Sequence, residues 1–326
     1  MSRAKVKGSI AGSVRRVVGK ARTRPGLALS KMPGTRALIA TALPSKRPPV
    51  LVTSLPRAGS SWIGRILGSS EKALYLREPM TQSYLGRFGP PPIFEWGMCK
   101  DRRAYDRYAA LAFKGIPRFG GAIVANPGQW TIAGRRGKRV VLKEVNPLVL
   151  RRLWERFRPK IVLLVRHPVP VARSFHALGW TSDQFKTRFL PETLAAFEKE
   201  HALPEETDTW KQSGAFQAIT QNLVADSLSD IDHMVVRYED ICDEPVRAFG
   251  QIFEFCGLPF SAGIRREIER SSQAGGRYVP GTYDTARNSR DMKDRWKRDV
   301  DQEDMEQVRR GYFAHRPVFY QEESDW

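Results

Sequence analysis

The stretch Pro49-Val-Leu-Val-Thr-Ser-Leu-Pro-Arg-Ala-Gly-Ser-Ser-Trp62 decides how the rest of the chain is read. Its first half, Pro49–Leu55, is a short apolar run with β-branched residues and a proline at each boundary. That is the pattern of a strand buried on both faces of a parallel sheet. A turn follows over Pro56-Arg-Ala-Gly59, and a helix opens at Ser60-Ser-Trp62 with Ile63, Ile66 and Leu67 on its apolar side. Strand, glycine turn and helix in this order cradle an anion, because the unpaired N–H groups of the first helical turn and the helix dipole both face it. Arg57 sets a fixed cation at the mouth of the loop, Ser60 and Ser61 add hydroxyls, and Trp62 adds an aromatic ring able to stack on a base. The loop is not a Walker A motif, since GxxxxGK[ST] occurs nowhere in the chain.

Working outward, Val140-Val-Leu142, Lys160-Ile-Val-Leu-Leu-Val165 and His233-Met-Val-Val236 read as further short strands. Helical patterns cover 146–157, 168–178, 183–200, 208–228, 244–256 and 302–311. Strands alternating with helices imply parallel pairing and right-handed crossovers. The expected fold class is therefore α/β, a P-loop-like parallel sheet sandwiched by helices. Residues 86–138, rich in Gly, Pro and aromatics, read as irregular and short helical insertions over a site rather than as core.

The chain has 326 residues, with 54 basic against 35 acidic side chains and a net charge of +19. The basicity is uneven: residues 1–70 hold fourteen Lys or Arg, and the first carboxylate is Glu71. Residues 1–47 form a basic arm, with Ile10, Val14, Val17 and Val18 at amphipathic helical spacing and prolines 44, 48 and 49 at its boundary. The expectation is an arm over 1–47, flexible or amphipathic and suited to the surface of an anionic membrane, and one catalytic domain over 48–326. No uncharged apolar run reaches the ~18–20 residues that cross a bilayer. Cys99, Cys242 and Cys256 have no CxxC spacing, so neither a disulfide scaffold nor a zinc site is expected, and a cytoplasmic setting is the default.

Arg57 through Trp62 match, position by position, the first signature of the sulfotransferases that use 3′-phosphoadenosine 5′-phosphosulfate (PAPS), which the chain resembles. In that family the Pro-[Lys/Arg]-[Ser/Ala]-Gly-[Ser/Thr]-[Ser/Thr]-[Trp/Phe] loop binds the 5′-phosphosulfate. A strand ending in Arg, with Ser eight residues on, holds the 3′-phosphate; Val165-Arg166-His-Pro168 through Ser174 is similar. Tyr238-Glu239-Asp240 resembles the family's segment near the adenosine. Arg at position 57 and the Leu76-Arg-Glu-Pro79 run look more like the carbohydrate and bacterial branches than the small-phenol branch. The resemblance covers about residues 49–300.

The resemblance implies PAPS as co-substrate, 3′,5′-ADP as product, no metal, and a hydroxyl-bearing acceptor, perhaps a carbohydrate or glycolipid. It implies Arg57, Ala58, Gly59, Ser60 and Ser61 on the phosphosulfate, Trp62 and Tyr238 at the adenosine, and Arg166, Ser174 and Arg287 at the 3′-phosphate. The His that serves as base in the small-phenol branch is missing where Lys143-Glu-Val145 stands, whereas the carbohydrate and tyrosyl-protein branches use a Glu shortly after the first helix, which Glu78 resembles, so Glu78 is the expected general base. Glu144 is the reserve, and Lys143 adds charge stabilisation. Trp96, Trp130 and Trp180 are candidates to line an acceptor groove, and His176 is expected to pack. Two other readings compete: a nucleotide phosphotransferase, disfavoured by the missing Walker Lys-Ser/Thr pair, and a nucleic-acid binder using the basic arm, for which no recognition motif is present.

Overall fold

The computed structural model describes residues 42–81, 93–116, 123–126, 129–130, 135–180, 185–200, 208–273 and 293–326. The expected arm helix near residues 10–18 and Arg287 lie outside the described residues. Five strands form one sheet: β1 (Val50–Thr53), β2 (Ala73–Arg77), β3 (Arg139–Glu144), β4 (Lys160–Val165) and β5 (His233–Arg237). Their order is β2-β3-β1-β4-β5 and every pairing is parallel. The α/β expectation holds. β2 is a strand that the sequence reading did not include, because Ala-Leu-Tyr-Leu-Arg is too short to declare its period. Its pairing with β3, Leu74 opposite Val140 and Leu76 opposite Leu142, is what makes it a strand.

The helices are α1 (Ser60–Gly68), α2 (Arg102–Phe113), α3 (Leu150–Phe157), α4 (Pro168–His176), α5 (Pro191–Glu200), α6 (Thr209–Leu228), α7 (Tyr238–Asp243), α8 (Pro245–Cys256), α9 (Ala262–Gln273), α10 (Trp296–Asp299) and α11 (Gln302–Phe313). α2 is a regular three-turn helix inside the stretch read as largely irregular; Asp101 caps it by accepting from the Ala104 N–H at 2.8 Å. Strand residues alternate between two cores, as the pleat requires. Leu51, Leu74, Leu76, Leu142 and Leu163 face a layer containing α2, α3 and α6. Val50, Val52, Tyr75, Val141, Val162 and Leu164 face a layer containing α1, α8 and α9. Cys242 and Cys256 are buried in the second layer, and all three cysteines are free thiols.

Ser45, Lys46 and Arg47, assigned to the arm from sequence, are tied to the body. The Ser45 hydroxyl donates to the Lys138 carbonyl at 2.6 Å, the Lys46 N–H to the Arg136 carbonyl at 3.3 Å, and Arg47 Nη1 to the Gly257 carbonyl at 3.4 Å. Among the described residues no helix is long and apolar enough to cross a membrane.

α6 and α11 cross with their backbones in contact. A Cβ at Gly311 would stand 1.9 Å from the Lys211 carbonyl oxygen, and one at Gly214 would stand 2.1 Å from that of Val308. The obstruction is backbone on a partner helix, so a rotamer change does not relieve it. Gly311→Ala should lower stability by at least the ~1–3 kcal/mol of a typical overpacked core. Urea unfolding measures this; a variant as stable as the wild type would contradict the crossing.

Candidate active site

In a parallel sheet all the strands end on one edge, where the loops that follow them meet. Here those loops carry Pro56–Gly59 after β1, Glu78 after β2, Lys143 and Glu144 at the end of β3, Arg166 after β4, and Tyr238 and Glu239 after β5.

The loop after β1 is held in an unusual backbone conformation. Arg57 has φ 69° and Gly59 φ 106°, both left-handed, and Gly59 is the N-cap of α1 without a side-chain cap on the first-turn N–H groups. Glycine is required at 59 for a second reason: a Cβ there would lie 2.7 Å from the Tyr238 ring. Ser60 is buried with its hydroxyl 2.8 Å from that of Ser54, which is also 2.7 Å from the Leu55 carbonyl. Ser61 is half-buried, and Ala58 is buried beside Tyr238 in the core.

The two anion motifs are joined. Arg57 Nε donates to the Ser174 hydroxyl at 2.7 Å across 117 positions of sequence. Arg166 Nη1 donates to the Arg57 carbonyl at 3.2 Å, and its guanidinium lies 4.2 Å from the centre of the Tyr238 ring. The sequence expectation puts Arg57 at the sulfuryl end of the donor and Ser174 at its 3′-phosphate, and the structure sets the two side chains in contact. In this structure its guanidinium is turned to Ser174.

α4 begins with Pro168 at its first position and is capped by His167, whose Nδ1 accepts from the Val169 N–H at 3.3 Å. Burial, with Lys297, Arg166 and Arg237 nearby, pushes the His167 imidazole down to about 3, so it is neutral and able to accept. Its ring stacks on Trp296 at 4.4 Å. Trp62 departs from the adenine-platform expectation. It is 7% exposed, packs edge-on against Phe249 at 5.2 Å, and donates from its indole N–H to Ser271 at 3.2 Å. Packing rather than an open face is its role in this structure.

Beside the anion loop sits a carboxylate pair. Lys143, on β3 opposite Arg77 and Val52, is buried and ion-paired to Glu78 Oε1. The Glu78 N–H donates to the Lys143 carbonyl at 2.7 Å, and Glu78 has φ 48°. Burial pushes the Lys143 ammonium below its ordinary range, against the pull of Glu78. Glu144 is spent on the same turn: it accepts from the Met80 N–H at 2.8 Å and from the Thr81 hydroxyl. Burial raises its carboxyl to about 7, although those two donors oppose the shift. Glu144 thus braces residues 78–81, the turn that presents Glu78.

Of the other candidates, Trp130 is buried in the core beneath Arg135, Trp96 is half-buried between Arg102 and Arg152, and Trp180 is exposed. His176 stacks on Trp210 at 3.8 Å, which is packing. Sequence reasoning missed Ser54, His167 and Tyr320 altogether, and gave Glu239 no role of its own. The adjacency of His167 to Arg166 was the one available signal for these.

An open α/β sheet with an anion loop after its first strand and arginines at its carboxyl edge defines a nucleotide- or anion-binding class of protein. A sequence model of the sulfotransferase domain matches residues 47–313, and the chain belongs to that family. Carbohydrate sulfotransferase 1 of Rattus norvegicus is 31% identical over 65 residues, which span 20% of this chain and 16% of that enzyme. Among solved structures, the sulfotransferase domain of the curacin biosynthetic pathway is 17% identical, covering 81% of this chain and 98% of that one at a TM-score of 0.43. A mouse sulfotransferase complexed with PAP is 14% identical, covering 88% and 91% at a TM-score of 0.42.

Because the Glu144 proton is held more tightly in the folded chain, its buried carboxyl costs nothing below the ordinary value of 4.5. Its ionisation then destabilises the fold progressively as pH rises toward about 7, and the penalty is constant above that. Glu144→Gln should therefore gain stability relative to wild type across that window, by at most on the order of 3 kcal/mol. Urea unfolding at pH 4.5 and 8 reads it; a difference independent of pH would show that the carboxyl titrates normally.

Proposed function

We propose that the protein transfers a sulfuryl group from PAPS to an acceptor hydroxyl. The observation that carries this reading is the contact of Arg57 with Ser174 and of Arg166 with the Arg57 carbonyl, which brings two separately encoded anion motifs into one cluster. Family membership supports it independently. A donor with anions at both ends of one nucleoside suits a cluster with two arginines, a serine and an uncapped helix N-terminus. Arg57 exchanges Ser174 for the donor's phosphosulfate, while Arg166 and Ser174 meet the 3′-phosphate.

The chemistry is an in-line displacement. The acceptor oxygen forms a bond to sulfur as the sulfur–oxygen bond to the 5′-phosphate breaks, and the leaving 3′,5′-ADP keeps the electron pair. Fixed cations at the developing negative charge do most of the work, as in phosphoryl transfer. The acceptor proton goes to Glu78. Glu78 is favoured over Glu144 because both Glu144 oxygens already accept hydrogen bonds from the turn, whereas Lys143 grips only Oε1 of Glu78. Lys143 is therefore read as orienting the base rather than touching the sulfuryl group. A carbohydrate acceptor is the class we favour, on the similarity to a carbohydrate sulfotransferase.

Two measurements test this. Saturating 3′,5′-ADP should raise the melting temperature of the wild type by linkage, and Arg166→Ala should remove most of that rise. No shift in the wild type would defeat the reading. Glu78→Gln should keep 3′,5′-ADP binding and lose turnover by ~10²–10⁴-fold, the range for general-base catalysis; wild-type turnover would exclude Glu78 as the base.

A further inference from the structure

The last residues of the chain carry no recognisable motif, yet they are bound to the carboxyl edge of the sheet. Tyr320 is 3% exposed and has φ 53°. Its hydroxyl donates to Glu239 Oε2 at 2.6 Å, and the other oxygen of that carboxylate accepts the His167 N–H at 3.1 Å. Asp325 pairs with Arg237, whose guanidinium lies 4.4 Å from the centre of the Tyr320 ring. The Trp326 indole N–H donates to the Tyr320 carbonyl at 3.0 Å, and its ring meets the His167 ring at 4.5 Å. Upstream, the Tyr312 hydroxyl donates to the Phe319 carbonyl at 2.8 Å and the Val318 N–H to Asn222 Oδ1 at 3.1 Å. The segment is anchored at both ends, with Tyr320 between.

His167 follows directly on Arg166. Fixing the His167 N–H fixes the direction in which the main chain leaves β4, and with it the base of the Arg166 side chain. A hydrogen bond to a carboxylate is charge-assisted, and this half-buried one has a donor on each oxygen. Burial and the neighbouring Glu239 hold the Tyr320 phenol well above its ordinary range, so it stays a donor.

We propose that Tyr320 and Glu239 are positioning residues for the donor's 3′-phosphate, acting through the His167 N–H to aim Arg166. The inference rests on the sulfotransferase reading. It adds that the carboxyl-terminal segment is a working part of the donor site. If the segment only stabilised the fold, loosening it would weaken every nucleotide equally. If it aims one arginine, loosening it weakens only nucleotides bearing the phosphate that the arginine grips.

The experiment is calorimetric titration of full-length wild type and Tyr320→Phe with 3′,5′-ADP and with 5′-AMP. Wild type should prefer 3′,5′-ADP. Tyr320→Phe should lose about ten-fold in 3′,5′-ADP affinity, the scale of one hydrogen bond, and stay within about two-fold on 5′-AMP. The donor KM should rise in step, with kcat and the acceptor KM unchanged. Glu239→Ala, which removes the acceptor of the His167 N–H, should show the same pattern. In an Arg166→Ala background, Tyr320→Phe should cause no further loss. Equal loss on both nucleotides, or none on either, would overturn the proposal and leave the sulfotransferase reading intact. A wild type that binds neither nucleotide would overturn both.

Discussion

The Arg57 carbonyl receives the Arg166 guanidinium, and the Arg57 guanidinium in turn meets the Ser174 hydroxyl. This exchange depends on β1 and β4 being neighbours in a parallel sheet, which sets the loops after them side by side. It also depends on a left-handed backbone at Arg57, which aims the carbonyl one way and the side chain the other. Gly59 is pressed on the Tyr238 ring, and that ring lies against Arg166. Loops following β1, β4 and β5 are thereby fixed relative to one another by contacts in which every member touches two others.

The Glu78–Lys143 pair is organised differently. Burying an ion pair costs desolvation that its attraction only partly offsets, so such a pair is weak evidence for stability. Its geometry is over-determined all the same: a main-chain bond links the same two residues, and Glu144 holds the turn from below. The left-handed φ at Glu78 adds local cost. This fixed position suits the base role proposed for Glu78.

Much of this was legible in the residues, for reasons that differ by element. Val50–Thr53 and Lys160–Val165 are buried on both faces and so read as continuous apolar runs. β2 did not read, since five residues with a terminal Arg carry no period of their own and it is pairing with β3 that makes them a strand. α2 was hidden among Gly- and Pro-rich neighbours. Trp62 was misleading: the motif placed an aromatic at the right position, and packing against Phe249 with a bond to Ser271 gave that ring another use.

By itself the sequence determined the fold class and the anion loop, because strand, glycine turn and helix are short-range patterns set by steric and burial preferences along a few residues. Through the family resemblance it also marked Arg57, Arg166, Ser174 and Glu78 as candidates for the chemistry. Only the tertiary structure decided which of them touch. The turn of Arg57 toward Ser174, the gripping of Glu78 by Lys143, the use of Glu144 as a brace, and the reach of Tyr320 to Glu239 all join residues distant in sequence. Such pairings follow from strand order and helix crossing, which no local preference encodes.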